Sequence, residues 1–240
     1  MTLVEEVLEA HGGRARWEAA GTVRAHGRSG GLLLRSRVPG THFADYRLIV
    51  DIEERRTVFD PFPEPGVRGV FERGSVRLER HDGDVLASRS EPRPYFFGRS
   101  GIRRTFRWDA LDATYFAGYA MWNYLSFPLL LTRPEVTVRE IEPWHGLRRL
   151  EAGFEHGLDT HSSRQTFYFD SDGLLARHDY VAYVVGRWAR AAHLCGDHVT
   201  ADGLVFPTRR RVRPIGPRNR PAPFPTMVWI ELANLAVETG

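Results

Sequence analysis

The sequence predicts an α+β fold, mainly antiparallel β: a strongly curved sheet or open barrel wrapped around one long central helix. Three observations carry this. Short apolar runs with strand alternation fill most of the chain and are punctuated by Gly, Pro and acidic turns. One stretch alone, Trp108 to Leu131 (WDALDATYFAGYAMWNYLSFPLLL), has the length and apolar content of a long buried helix. The chain has 240 residues and no linker, repeat or low-complexity run, so it reads as a single domain over residues 1–240.

The elements follow in order. Residues 2–10 read as a short amphipathic helix, with capping-box spacing of Thr2 and Glu5 and an apolar stripe of Leu3, Val4, Val7 and Leu8. Gly12-Gly13 ends it, and Trp17 follows as an anchor onto the sheet. Strands are predicted at 22–28, 31–38, 42–52 and 55–59, then a rigid loop at 60–66 (DPFPEPG). Further strands at 67–71, 75–80 and 85–90 follow, the last two joined by the turn His81-Asp82-Gly83-Asp84. Residues 91–106 read as irregular and basic. The central helix comes next, with Asp109 as N-cap and Asp112 favoured near its positive end; Pro128 stops or kinks it near Ser126 and Phe127. Strands resume at 135–141, 147–154, 165–170, 174–185, 188–199, 204–213 and 227–237, the later ones forming an antiparallel meander.

Composition narrows the function. The single cysteine, Cys195, excludes an internal disulfide and a cysteine-based zinc site. The chain has no lysine, which excludes a lysine Schiff base or lysine general base. MTLVEEVLEAHGG does not resemble a signal peptide, so a cytoplasmic location is expected. The central apolar run is broken by Gly118, Asn123 and Pro128, so no membrane span and no membrane partner are expected. The dense patch Arg209, Arg210, Arg211 and Arg213, extended by Arg218 and Arg220, lacks any accompanying nucleic-acid reading element. There is no GxGxxG after a strand, no Walker A and no GxSxG; no cofactor is expected. No HxH, HxxxH or HExxH spacing is present, so no metal ligand is assigned.

Three groups of residues could carry chemistry. On strand 204–213, alternation puts Phe206, Thr208, Arg210 and Val212 on one face, so Arg210 is the arginine expected inside. A buried guanidinium needs a carboxylate or an anionic ligand; Asp179 and Glu142 are the candidate partners. Among the histidines, His161 and His178 are candidate proton carriers, although satisfied histidines at sheet ends are the simpler reading. On the helix, Leu111, Tyr115, Tyr119 and Trp122 share one face. Tyr115, Tyr119, Trp122, Asn123 and Tyr124 carry polar tips that want partners when buried, which suits the wall of a pocket for a mostly apolar ligand. Trp144, Tyr180 and Gln165 complete the candidate binding set.

The runs AHGGRARW, WDALDATYFAGYAMWNYLSFP, EPWHGLRRLEAGF, THSSRQTFYFDSDGLLARHDY and DHVTADGLVFPTRRRV together resemble a group of uncharacterised bacterial proteins of about this length. The positions that match this group's motifs are Trp17, Trp108, Asp109, Tyr119, Trp122, Asn123, Glu142, Trp144, His161, Gln165, His178, Asp179, Tyr180, His198, Pro207, Thr208, Arg209 and Arg210. The strand pattern also resembles the lipoprotein-carrier half-barrel, in which a sheet wraps helices around an apolar cavity. The leading expectation is a cofactor-independent enzyme that binds a small, largely apolar organic molecule between sheet and helix and cyclises or isomerises it in bacterial specialised metabolism. Tyr119, Trp122 and Trp144 would wall the cavity, His161 or His178 would move a proton, and Arg210 would stabilise negative charge. The alternatives are a non-catalytic binder or carrier of an apolar or lipid-like ligand, and a metal-dependent hydrolase. Oligomeric state is left open.

Overall fold

Asp109 starts the helix around which the molecule is built. Its carboxylate accepts from Asp112 N at 2.8 Å, and Asp112 returns the bond to Asp109 N at 3.2 Å, so two otherwise orphaned N–H groups are satisfied. The helix, α5, runs Ala110–Leu125 in a computed structural model that describes residues 1–38, 40 and 43–240. It ends earlier than Leu131: Pro128 cannot supply a helical N–H, and Leu129–Thr132 form a separate 3₁₀ turn. Thirteen of its sixteen residues are buried, so it is covered on all sides rather than along one stripe.

Among the described residues, thirteen strands form one antiparallel sheet. They are β1 (Ala20–Gly30), β2 (Tyr46–Asp51), β3 (Arg56–Asp60), β4 (Val67–Glu72), β5 (Ser75–Arg80), β6 (Val85–Arg89), β7 (Val136–Trp144), β8 (Leu147–Phe154), β9 (Arg164–Phe169), β10 (Leu175–Val181), β11 (Arg190–Ala201), β12 (Leu204–Pro214) and β13 (Val228–Thr239). Spatial order is β6-β5-β4-β3-β2-β1-β13-β12-β11-β10-β9-β8-β7. Two sequential meanders therefore meet where β1 pairs with β13, for example Val23 opposite Val237. The row is open, with β6 and β7 at its two ends. Helix α5 crosses between the meanders and connects them. It packs on β2 to β6, where Gly118 lies so close to Phe71 that a Cβ would overlap that ring, and Thr57 Oγ1 donates to Gly118 O at 3.0 Å.

Several local features depart from the sequence reading. Residues 31–38 were expected as a strand; instead Leu32–Arg37 form a short helix, α3. Gly31, at φ +115°, turns the chain there, and a Cβ at this position would strike Met227 O. Leu33 and Leu34 are buried while Leu32, Arg35 and Ser36 face out, a spacing too short for periodicity to separate helix from strand. The predicted start of the next strand, His42, lies outside the described residues; the strand begins at Tyr46. The 91–106 segment is not wholly irregular: it contains a 3₁₀ turn at Arg93–Phe96 and a short helix, α4, at Gly98–Arg104. Trp17 sits in a second short helix, α2 (Arg14–Ala19), behind α1 (Leu3–Ala10), and its Nε1 donates to His11 O at 3.0 Å. Among the described residues no helix is long and apolar enough to cross a membrane.

Candidate functional site

Helix α5 projects Tyr119 and Tyr124 toward the second meander. Between them lies His161, from the loop joining β8 to β9 and 1 % exposed. Tyr119 Oη is 3.1 Å from His161 Nδ1, and Tyr124 Oη is 2.7 Å from Nε2. A neutral imidazole carries one N–H, so it accepts from one phenol and donates to the other. Tyr124 Oη continues to Tyr180 Oη at 3.2 Å, and the Tyr180 ring stacks on His161 with centroids 3.9 Å apart. Burial holds His161 neutral, with its pKa lowered to about 3, and the Arg93 charge adds to the effect. Burial likewise raises the phenols of Tyr119, Tyr124 and Tyr180, so all three keep their protons.

Strand β10 supplies His178 and Tyr180 on its inner face. His178 Nε2 meets Gln165 Oε1 at 2.5 Å, and the amide of Gln165 also donates to Thr160 Oγ1 and to Ser162 O. His193, opposite His178 on β11, is fully buried with its ring 4.6 Å from that of Tyr124, and neither ring nitrogen has a hydrogen-bond partner. Both imidazoles are kept well below their ordinary pKa by burial, with the Arg210 charge acting in the same direction.

Arg210 on β12 is 1 % exposed. Its Nη2 donates to Tyr124 O at 3.3 Å, its Nη1 approaches Cys195 Sγ at 3.6 Å, and its guanidinium lies 4.8 Å from the Tyr124 ring centroid. It makes no ion pair among the described residues, and its Nε is unpartnered. Neither expected carboxylate reaches it. Asp179 alternates with His178 onto the convex face, where it receives two bonds from Arg177 at 2.6 and 2.7 Å and one from Tyr168 at 2.9 Å. Glu142 is exposed on the edge strand β7. Trp144 is also outside, over Arg177 at 4.8 Å and beside Tyr168. Trp122 turns away from the polar cluster, donating to Ile52 O at 3.0 Å.

Tyr115 and Asn123 belong to a neighbouring cluster. Tyr115 Oη donates to Asp159 at 2.6 Å and accepts from Arg93 at 3.2 Å, while Asn123 Nδ2 donates to Asp159 O at 2.9 Å. Burial raises the Asp159 carboxyl above its usual range. Arg93 and Asp159 of this cluster line an open groove of about 610 Å³. The structure thus gathers His161, His178, Arg210, Tyr119, Tyr180 and Gln165, places Tyr115 and Asn123 next to them, and leaves Asp179, Glu142, Trp144 and Trp122 apart.

The apolar space lies on the other side of Tyr124 and Tyr180. A cleft between α5 and β1, β2, β12 and β13 has an inner chamber of about 40 Å³ and an outer one of about 150 Å³. Phe116, Tyr180, Val212 and Val228 border both. The inner chamber is roughly one water in size, whereas an apolar cavity of about the outer one's volume holds a benzene-sized molecule. The inner chamber is bordered by Ala117 and Ala120, small residues three apart on α5. Sequence reasoning passed over them, as it did Arg93 and Asp159, and it gave Tyr124 and His193 no role in the site. Small residues inside an otherwise bulky aromatic helix were the available signal for the cleft. Among the described residues no group of three or more His, Cys, Asp or Glu could hold a metal ion.

No family model matches the chain, and no curated protein matches its sequence. Its fold does have solved counterparts. A DUF1329 family protein from Desulfovibrio piger superposes with a TM-score of 0.52 at 15% identity, over 98% of this chain and 92% of that one. A LolA superfamily protein from Nitrosomonas europaea gives 0.50 at 10% identity, over 98% and 92% of the two chains. The lipoprotein-carrier-like half-barrel expected from the sequence is the fold this chain adopts, as an unclosed curved antiparallel sheet around a helix.

Proposed function

We propose that this protein is a non-catalytic binder or carrier of an apolar, lipid-like ligand held in the cleft between α5 and the sheet. The observation that carries the reading is the lining of the inner chamber. It is aliphatic and aromatic, and its few polar atoms are already paired with one another: Ser29 Oγ with Tyr46 Oη at 2.6 Å, and Tyr124 Oη with Tyr180 Oη at 3.2 Å. Such a wall offers burial of hydrocarbon and little else. The half-barrel likeness supports the same reading, since a LolA superfamily protein shares the architecture. The unpaired Arg210 charge behind Tyr124 gives the deep end a positive potential, which favours a ligand whose polar end is a carbonyl or carboxylate.

A second reading, the cofactor-independent cyclase or isomerase, draws on one observation: Tyr124 and Tyr180 border the cleft and are wired to His161. The binder reading is preferred because this relay is poorly poised for proton transfer. His161 is too weak a base near neutral pH, and the phenols are too weak as acids.

Native mass spectrometry of protein purified from its source organism tests the binder, with a retained lipid-like molecule as the expected result. Titration with a fluorescent naphthylamine probe gives a second readout. Ala189→Trp, at a half-buried position, fills the outer chamber and should abolish probe binding while the protein still folds. Unchanged probe affinity in that variant would remove the cleft as the site. An empty protein that turns over a pathway intermediate would favour the enzyme.

A further inference from the structure

We infer that the mouth of this cleft docks on an anionic membrane surface, where the ligand is exchanged; the inference rests on the binder reading above. Three segments, residues 31–38, 185–191 and 213–227, contribute to the mouth, and a fourth, 98–107, adjoins the first. The outer chamber opens between Leu33, Trp188, Ile215 and Met227. The segments form one continuous surface, joined by Leu32 N to Thr226 O at 3.1 Å, Ile215 N to Arg190 O at 3.1 Å and Arg37 Nη1 to Arg104 O at 2.6 Å.

Charge is strongly segregated onto this surface. The chain as a whole nearly balances, with 33 basic and 30 acidic residues, yet the four segments hold eleven arginines and no Asp or Glu. Arg35, Arg107, Arg187, Arg190, Arg218 and Arg220 are exposed and make no ion pair among the described residues. On the sheet surface, by contrast, Arg209 pairs with Asp197 and Arg211 with Glu231. Large apolar side chains stand out among these free cations: Phe224 is 78 % exposed, Phe106 73 %, Trp188 70 % and Ile102 65 %.

A membrane interface fits both features at once. Guanidinium groups pair with lipid phosphates, and the aromatic and aliphatic side chains enter the headgroup region. A second copy of this chain would bring the same positive surface against itself, which is repulsive. Peripheral docking needs no spanning segment, so it is compatible with the helix lengths even though the sequence led us to expect no membrane partner.

The test uses the full chain and sucrose-loaded vesicles of phosphatidylcholine alone or with about one-third phosphatidylglycerol. The protein should sediment with the anionic vesicles and be released by high salt. Arg187→Glu and Arg35→Glu should each lower the partition coefficient by about fivefold or more. Phe224→Ser should lower it by roughly threefold to tenfold. None of these three residues borders the cleft, so the naphthylamine probe should bind all three variants with unchanged affinity. Equal partitioning onto neutral and anionic vesicles, or none onto either while the probe still binds, overturns the docking and leaves the cleft reading intact. Failure of the unaltered protein to take the probe strikes the cleft reading instead. Absence of vesicle binding together with a dimer that Phe224→Ser dissociates would assign this face to a second copy and overturn the inference.

Discussion

Acidification from about pH 7 to about pH 5 should remove a large part of the folding free energy, because several imidazoles are buried in neutral form. His161 is held at a pKa of about 3 and His11 at about 4, both chiefly by burial, against 6.5 for the free side chain. Below the unfolded value the unfolded chain binds more protons than the folded one, so stability is complete above 6.5 and is lost as pH falls toward these folded values. Each such histidine loses about 1.4 kcal/mol per pH unit, hence about 2 kcal/mol each at about pH 5 and roughly 4 kcal/mol for the two. His178 and His193 shift in the same direction and add to the loss. Asp159 and Asp179 oppose it: their raised folded pKa values make the folded state take protons first, returning stability as pH falls from those values toward 3.8. Total stabilities of about 5–15 kcal/mol make the histidine effect large. Guanidinium unfolding followed by tryptophan fluorescence at the two pH values measures it. A pH dependence of folding free energy that is unchanged in His193→Phe, where the opposing aspartates are the same, would refute the reasoning, since that imidazole could not then be both buried and neutral. His193→Phe sharpens the assay. It forfeits no hydrogen bond, should add about 1–3 kcal/mol near neutral pH, and should make the pH dependence shallower.

Three further outcomes are expected. Arg210→Met should raise stability by about 1–3 kcal/mol, because it replaces a buried charge that has no carboxylate partner, and should weaken binding of a fatty acid more than of the matching alcohol; a lowered melting temperature with unchanged selectivity would mark the guanidinium as purely structural. Asp112→Ala should cost about 3–5 kcal/mol in chemical denaturation, since Arg89 at 2.5 Å and Arg104 at 2.7 Å lose a carboxylate that is fully buried. Gly118→Ala, which in a free helix would stabilise by about 1 kcal/mol, should here destabilise by about 1–3 kcal/mol because the added methyl overlaps Phe71; thermal melting decides the sign.

Local chemistry was legible in the sequence wherever a few neighbouring residues determine the outcome. Asp109 and Asp112 read as the start of α5 because capping is a contact across three residues. The hairpins read because turn residues and alternation are local. Arg210 read as an inward residue for the same reason, since alternation along β12 places it with Phe206 and Val212, and all three are buried. The short Gly31–Val38 run was misread because six helical residues hold less than two turns, too few for a period to show.

What only the tertiary structure decided is which residues meet. No local pattern joins β1 to β13 or brings Tyr119 and Tyr124 to opposite sides of His161, because those partners lie far apart in sequence. His161 sits in a loop, where no periodicity assigns a face. Asp179 is one residue from His178, and that single step carries it through the sheet to Arg177 and away from Arg210. The sequence therefore determined an antiparallel sheet around an aromatic helix. The curvature and strand order decided that this helix would have a polar, histidine-filled side and an apolar cleft, because packing against two meanders at once makes each of its faces a different interior.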